Sequence, residues 1–237
     1  MLVKCKNASA RLENGFFSDV RVKKGDLDAA RRLFSALKGA VGPMRRGFLS
    51  FGDGVLTGGF DAPRGILLPH NAPETAEMYY ACGAKEHTVF YGYTLPVRAA
   101  YEKIARFRAL PCAVRSIDRA GAGRIADILG EDREGVFRAL GEIPPLIRTK
   151  AVFCGEDGFL LLLIRGGRAR VATGWIRERS RNSRILLSMA KTACEYLMKR
   201  GIETSDISVI DKANEASRRT AESLGAAVDR TYVLFVL

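Results

Sequence analysis

Arg177, Arg179, Arg181 and Arg184 stand in one short turn just ahead of a long helical pattern. A guanidinium binds phosphate or carboxylate through two parallel N–H bonds. A helix start adds unpaired backbone donors and the positive end of the helix dipole. Arginines gathered there suit a phosphorylated cofactor, an anionic substrate or RNA, and the same residues also make an ordinary solvated basic turn. The density is local: from Arg165 to Arg184 the chain has seven arginines and one acid, Glu178. Asn214 opens the next polar turn, where Asn is a preferred helix cap. Tyr79 and Tyr80 read first as packing residues, and His70 beside Asn71 as a turn residue. No GxxxxGK[ST] phosphate loop occurs, so the glycines of 52–66 read as turns.

The 237 residues suffice for one large domain or two small ones. With 47% hydrophobic and 27% charged residues, the composition is that of an ordinary globular protein. The longest aliphatic run, LLLLI at 160–164, is too short to span a bilayer, and MLVKCKNASARLENG lacks the apolar centre of a signal peptide. No membrane partner is expected. Cys5, Cys82, Cys112, Cys154 and Cys194 are odd in number and never spaced CxxC. They point to a reducing cytoplasm rather than to a disulfide framework or a zinc site. With only His70 and His87, no metal site is expected. The net charge of +12 favours anionic partners. Nucleic acid ranks low among these, because aromatic residues are not interleaved with the arginines.

The elements that must position these residues follow from periodicity and punctuation. Residues 1–25 read as short extended pieces. Residues 26–38 form a helix with Asp26 as N-cap and Leu27, Ala30, Leu33, Phe34 and Leu37 on one face. GILLP at 65–69 reads as a short buried strand, 73–82 as a helix with Pro73 in its first turn, and 87–95 as a strand. A connecting helix at 97–109 leads to a strand at 111–117, helices at 123–130 and 133–141, and three strand-like runs. The runs are joined by hairpin turns at 155–158 and 166–168. The Arg-rich turn, a helix at 184–200, a strand at 207–210, a helix at 215–224 and a strand at 231–237 complete the order β-α-α-β-β-β-α-β-α-β.

Part of that order recurs. LLPHNAPETAEMYYACG and VIDKANEASRRTAESLG each run from an apolar strand end through a turn with Asn to a short helix and Gly. Each then enters an aromatic strand, TVFYGYTL or TYVLFVL, and each is preceded by a longer helix. The Asn–Gly spacings are 12 and 11. Such self-similarity points to an internal duplication.

The stretch Asn214 to Ala226 resembles N-x-x-A-x-x-L-Y-x-K-L-G-F, which closes the core of GNAT-type N-acetyltransferases. GP at 42–43, GVLTGGFDAPRGILLPHNAPETAEMYYACGA at 54–84 and FYGYTLP at 90–96 are similar to a tandem, two-unit branch of that superfamily. The resemblance covers about 40–96 and 110–237. It implies an α/β (α+β) fold with a mixed GNAT-like sheet flanked by helices. It divides the chain into a truncated first unit at 1–96, a connecting helix at 97–109 and a second unit at 110–237. A full first unit would need two helices and about three strands before residue 17, and is expected to lack them. The open sheet edge of such a half-domain invites pairing with a second copy.

The resemblance also implies acetyl-CoA or another acyl-CoA as cofactor, with no metal. Trp175 and Ile176 would lie along the pantetheine arm. The pyrophosphate motif Q/R-x-x-G-x-G/A falls on Arg181, Asn182, Ser183, Arg184, Ile185 and Leu186, with Arg177 and Asn214 beside it. Its leading Arg is kept, but Arg184 and Leu186 replace small residues, and Leu186 is expected to crowd a phosphate. The family's general-acid tyrosine, four residues before the Gly, corresponds to Ala221 in the second unit and to Tyr79 in the first. The first unit's helix start, KKGDLDAARR, carries acids where phosphate would go. Two functions follow. One is N-acyl transfer to a small-molecule or peptide amine. The other is a catalytically silent module that binds an anionic ligand or a protein.

Overall fold

The computed structural model describes every residue except 45–48, 50–52 and 182, and leaves the side chains of Ser183 and Ser208 undescribed. The chain divides into two compact units that are not contiguous in sequence. Unit 1 holds Met1–Gly92, Val209–Glu215 and Val228–Leu237, and unit 2 holds Tyr93–Ser208 and Ala216–Ala227. These units cut the chain differently from the division into 1–96 and 110–237, because residues 228–237 group with the first 92.

Unit 1 begins with an antiparallel meander, β1 (Leu2–Cys5), β2 (Ala8–Glu13) and β3 (Phe16–Val22). Two of the strands expected to be missing before residue 17 are therefore present, while no described helix precedes residue 17; short strands with one exposed face leave only a weak alternation in sequence. Helix α1 (Leu27–Ala36) follows, capped by Asp26, whose carboxylate accepts the Ala29 N–H at 2.8 Å. Short strands β4 (Val41–Gly42) and β5 (Val55–Gly58), helix α2 (Pro73–Ala81) and the first part of β6 (Lys85–Pro96) come next. The sheet order is β1-β2-β3-β4-β12-β6, where β12 is Ala227–Val236, and β5 also pairs with β12. The pairing of β3 with β4 is parallel, and β12 runs antiparallel to β4 and β5, so the sheet is mixed.

The core of unit 1 packs Phe17, Leu33, Phe34, Leu37 and Tyr79 around Val233 and Phe235 of β12. Buried Leu56, Leu68 and Tyr232 form a second cluster. The strand expected at 65–69 is instead a turn. The Leu68 N–H bonds to the Gly65 carbonyl at 3.3 Å, and Leu67 adopts a left-handed φ of 56°. Ile66 and Leu68 are buried without joining the ladder. Burial of apolar side chains, rather than strand pairing, produced that apolar pattern.

Unit 2 carries the expected order up to the helix at 215–224, and the closing strand belongs to unit 1. After the end of β6 come α3 (Val97–Ile104), β7 (Ala113–Ser116), α4 (Arg119–Leu129) and α5 (Arg133–Gly141). Asp118 and Asp132 cap α4 and α5 through the N–H groups of Gly121 and Gly135. Strands β8 (Arg148–Cys154), β9 (Gly158–Arg165) and β10 (Arg168–Ile176) form an antiparallel run with β7 at its outer edge. A 3₁₀ turn at Glu178–Ser180 leads into α6 (Ser183–Met198), and β11 (Thr204–Asp211) pairs with β10 in parallel. Helix α7 (Glu215–Ser223) completes the unit. Residues 158–164 of β9 are all buried, as an unbroken aliphatic run demands, with α4 and α6 both packed on the strand.

Gly59 shows how closely β12 fits unit 1. It has φ 77°, and a Cβ there would run into the Asp229 carbonyl oxygen. Gly59→Ala is expected to destabilise unit 1 by about 2 kcal/mol or more, from left-handed strain plus the backbone clash. Chemical denaturation measures it, and a variant as stable as the parent would contradict this packing.

Candidate functional site

A cleft of about 980 Å³ opens in unit 1. One wall is the end of β3 and the start of α1, from Val20 to Leu27; the other comprises Gly54, Val55 and Pro69–Ala72, with α2 contributing Met78 and Tyr79. A shallower recess of about 480 Å³ continues over the α1 start, lined by Lys23, Lys24, Gly25, Asp28 and Arg31. The combined hollow has the size of a ligand pocket rather than of a packing defect.

The backbone creates this cleft. The register of β3 on β4 is Phe16↔Val41, after which β3 runs on to Val22. A bulge in β3 increases the divergence: two steps on β2, Ser9 to Arg11, face three on β3, Arg21 to Ser18, and Asp19 takes φ 50°. Arg21 and Val22 thus pair with β2 on one edge and, among the described residues, with no strand on the other. Opposite, the Asn71 side chain occupies β5. Its oxygen accepts the Leu56 N–H at 2.8 Å, and its amide donates to the Leu56 carbonyl at 3.0 Å. Asn71 does more than the turn formation expected of it.

The acids at the α1 start are already engaged. Asp26 accepts from Ala29 and from the Asn7 side-chain amide at 2.9 Å, and these bonds, the Asn7 bond foremost, hold its carboxyl below the ordinary value. Asp28 pairs with Arg31 at 3.3 Å. The N–H groups of Lys24 and Gly25 enter no hydrogen bond among the described residues. Gly25 has φ 78° with open space where a Cβ would stand. The helix start that the sequence marks as acidic therefore presents free donors and two lysines.

Tyr79 lies in the cleft wall, 1% exposed. Its ring stacks on Phe235 with centroids 4.8 Å apart and packs against Phe34 at 4.8 Å. Burial pushes its hydroxyl well above the ordinary value, so it stays a neutral donor. Tyr80 is 45% exposed and donates to Glu86 at 2.7 Å.

The residues singled out at 175–185 lie in unit 2. Trp175 is 42% exposed, whereas Ile185 is 5% exposed. The end of β10 also follows a bulge, between Val171 and Thr173, and its described register with β11 covers only Ala169–Val171. The arginines are partly committed to the fold. Arg177 donates to the Asp127 carbonyl at 2.7 Å, and Arg179 pairs with Asp157 at 3.7 Å. Arg184 reaches the Arg108 carbonyl at 3.5 Å. Asp157 is the anchor: its carbonyl accepts the Arg177 N–H at 2.8 Å and its carboxylate the Ser180 hydroxyl at 2.7 Å. Arg181 is exposed, Ser183 begins α6, and Asn182 lies outside the described residues. Leu186 packs against the Ile185 and Met189 cluster. Asn214, exposed in unit 1, follows a turn in which Asp211 accepts the Ala213 N–H at 2.8 Å. Neither unit by itself brings Tyr79 together with the 175–185 set. Among the described residues no group of His, Cys, Asp or Glu could hold a metal ion, and no helix is long and apolar enough to cross a membrane.

No sequence family matches the chain, and no curated protein matches it in sequence. Solved structures do match. A tandem GNAT protein from the clavulanic acid biosynthesis pathway aligns over 96% of this chain and 77% of its own, at TM-score 0.62 and 13% identity. The GCN5-related glucosamine N-acetyltransferase region of a fungal multi-domain β-N-acetylglucosaminidase aligns over 96% of this chain and 31% of its own, at TM-score 0.55 and 11% identity. The chain has a GNAT-type fold, and its similarity to the tandem protein spans nearly its whole length.

Asp157→Ala removes the carboxylate that holds Ser180 and Arg179. Losing a hydrogen bond worth about 1.4 kcal/mol is expected to speed trypsin cleavage at Arg179 and Arg181 about tenfold. Unchanged cleavage would show that Asp157 does not fasten the turn.

Proposed function

We propose that the chain is an acyl-CoA-dependent N-acyltransferase acting on a small-molecule or peptide amine, with its cofactor cleft in unit 1. The observation that carries this is the unpaired edge of β3 facing Tyr79 across a ligand-sized hollow. In a GNAT-type fold that edge suits a pantetheine arm, whose amides would take the place of a missing strand. Lys23, Lys24 and the N–H groups of Lys24 and Gly25 would hold the pyrophosphate. The site thus moves from the 181–186 motif expected in the sequence to residues 20–27, where a glycine remains and the acids are tied back. A bound acyl-CoA would supply a thioester for transfer to the amine. The protein's part is to position it and to exclude water. Tyr79 lines the cleft, and its hydroxyl, kept protonated by burial at neutral pH, would serve as the acid for a departing thiolate. The five free cysteines suit a reducing compartment such as the cytoplasm.

The exposed Arg181 and the replaced small positions at Arg184 and Leu186 favour a second reading for unit 2, a silent module that binds an anionic ligand or a protein partner. Duplication of one GNAT-like unit, supported by the bulges at β3 and at β10, would account for an active and a silent copy.

Calorimetric titration with acetyl-CoA and a thiol-release assay over a panel of amines test the activity. Binding with amine-dependent release is expected, while no binding at millimolar acetyl-CoA removes the proposal. Tyr79→Phe keeps the ring stack and loses the proton. It is expected to lower turnover about 100-fold, with acetyl-CoA affinity unchanged. Because burial raises Tyr79, the rate should not fall between pH 7 and about 10. A downturn near pH 8 would assign the acid elsewhere.

A further inference from the structure

Strands β7 and β8 pair antiparallel with Ala113 opposite Phe153. One step further in that register sets Cys112 opposite Cys154, and Cys112 packs against the cluster that contains Cys154. The Cys154 thiol and the Thr192 side chain both bear on the Cys112 thiol. Directly opposed residues of an antiparallel pair have Cα atoms about 4.5 or 5.5 Å apart, and both values fall in the range that a disulfide accepts, about 4.4–6.8 Å. The register therefore sets the two cysteines within the reach of a disulfide. Cys112 is half-buried at the edge strand, so an oxidant reaches one sulfur while the other waits beneath it. The remaining cysteine of unit 2, Cys194, is buried on α6.

We infer that Cys112 and Cys154 are a redox-active dithiol that closes reversibly to a disulfide across β7 and β8. With a hydroperoxide as oxidant, the Cys112 thiolate attacks the O–O bond and becomes a sulfenic acid, and the peroxide's other oxygen leaves as water or alcohol. The Cys154 thiolate then attacks the Cys112 sulfur, forming the S–S bond and releasing hydroxide, which takes up a proton as water. Two thiols are oxidised and one peroxide is reduced. A dithiol reductant reverses the step by exchange. Burial, with the neighbouring Cys154, pushes the Cys112 thiol up to about 12, so the thiolate that attacks the peroxide is a small fraction at neutral pH and oxidation is expected to quicken as pH rises. The bond would end directly before the β8–β9 turn, where Asp157 holds Arg177 and Ser180.

The test uses the full chain, reduced, then treated with hydrogen peroxide and alkylated before peptide mapping. The expected result is a peptide cross-linked through Cys112 and Cys154, released by dithiothreitol, absent in Cys112→Ser and kept in Cys194→Ser. Equal alkylation of both cysteines before and after peroxide, a sulfinic acid at Cys112 without a cross-link, or pairing of Cys154 with another cysteine would overturn it. Intact mass and circular dichroism of Cys112→Ser confirm that the control is folded.

Discussion

Unit 1 depends on residues 228–237. These residues supply Val233 and Phe235 to one apolar cluster and Tyr232 to the other, and they pair with β4 and β5. The Gly39 N–H bonds to the Leu237 carbonyl at 2.5 Å, and the Leu237 N–H to Ala40 at 3.1 Å. Arg230 is 2% exposed and forks onto Asp229 at 2.9 and 3.1 Å, beside Gly65. Removing these contacts would leave β5 without a ladder and Tyr79 without its stacking partner. The cleft wall is therefore built from segments about 150 residues or more apart, and its stability rests on long-range closure rather than on local propensity.

A second constraint shapes the opposite wall. Backbone N–H and C=O groups must be paired or solvated. At Arg21 and Val22 the chain satisfies one edge and leaves the other to the cleft, whereas on β5 the Asn71 side chain supplies the missing partner. The asymmetry is informative. One wall is closed by the protein's own amide, and the other stays open for an extended ligand that carries amides. In unit 2 the corresponding basic turn is laced to Asp157 and to the ends of neighbouring elements, so much of its charge serves the fold.

The order of unit 2 was legible because its signals are local: the glycine between two helical stretches, hairpin turns, and one fully apolar strand. The α1 face and the helix at 73–82 were legible for the same reason. The partner of β12 was not, since a strand's pattern shows which face is buried and not which strand lies beside it. The β1–β2 hairpin shows in the sequence only as extended pieces, and 65–69 has the pattern of a strand because burial without pairing leaves the same apolar run. At the site, charge drew attention to Arg177–Arg184, but the sequence could not show that Arg177 and Arg179 already have acceptors. Conversely, Asp26 and Asp28 made the first helix start look unsuited to phosphate until Asn7, Ala29 and Arg31 were found beside them.

Hydrogen exchange measured by mass spectrometry, with and without acetyl-CoA, tests the location of the cofactor cleft most directly. The account predicts new protection in residues 20–29, where the β3 edge and the first amides of α1 meet the ligand. Protection confined to 181–189 would place the cofactor on the basic turn of unit 2 and contradict the assignment to unit 1.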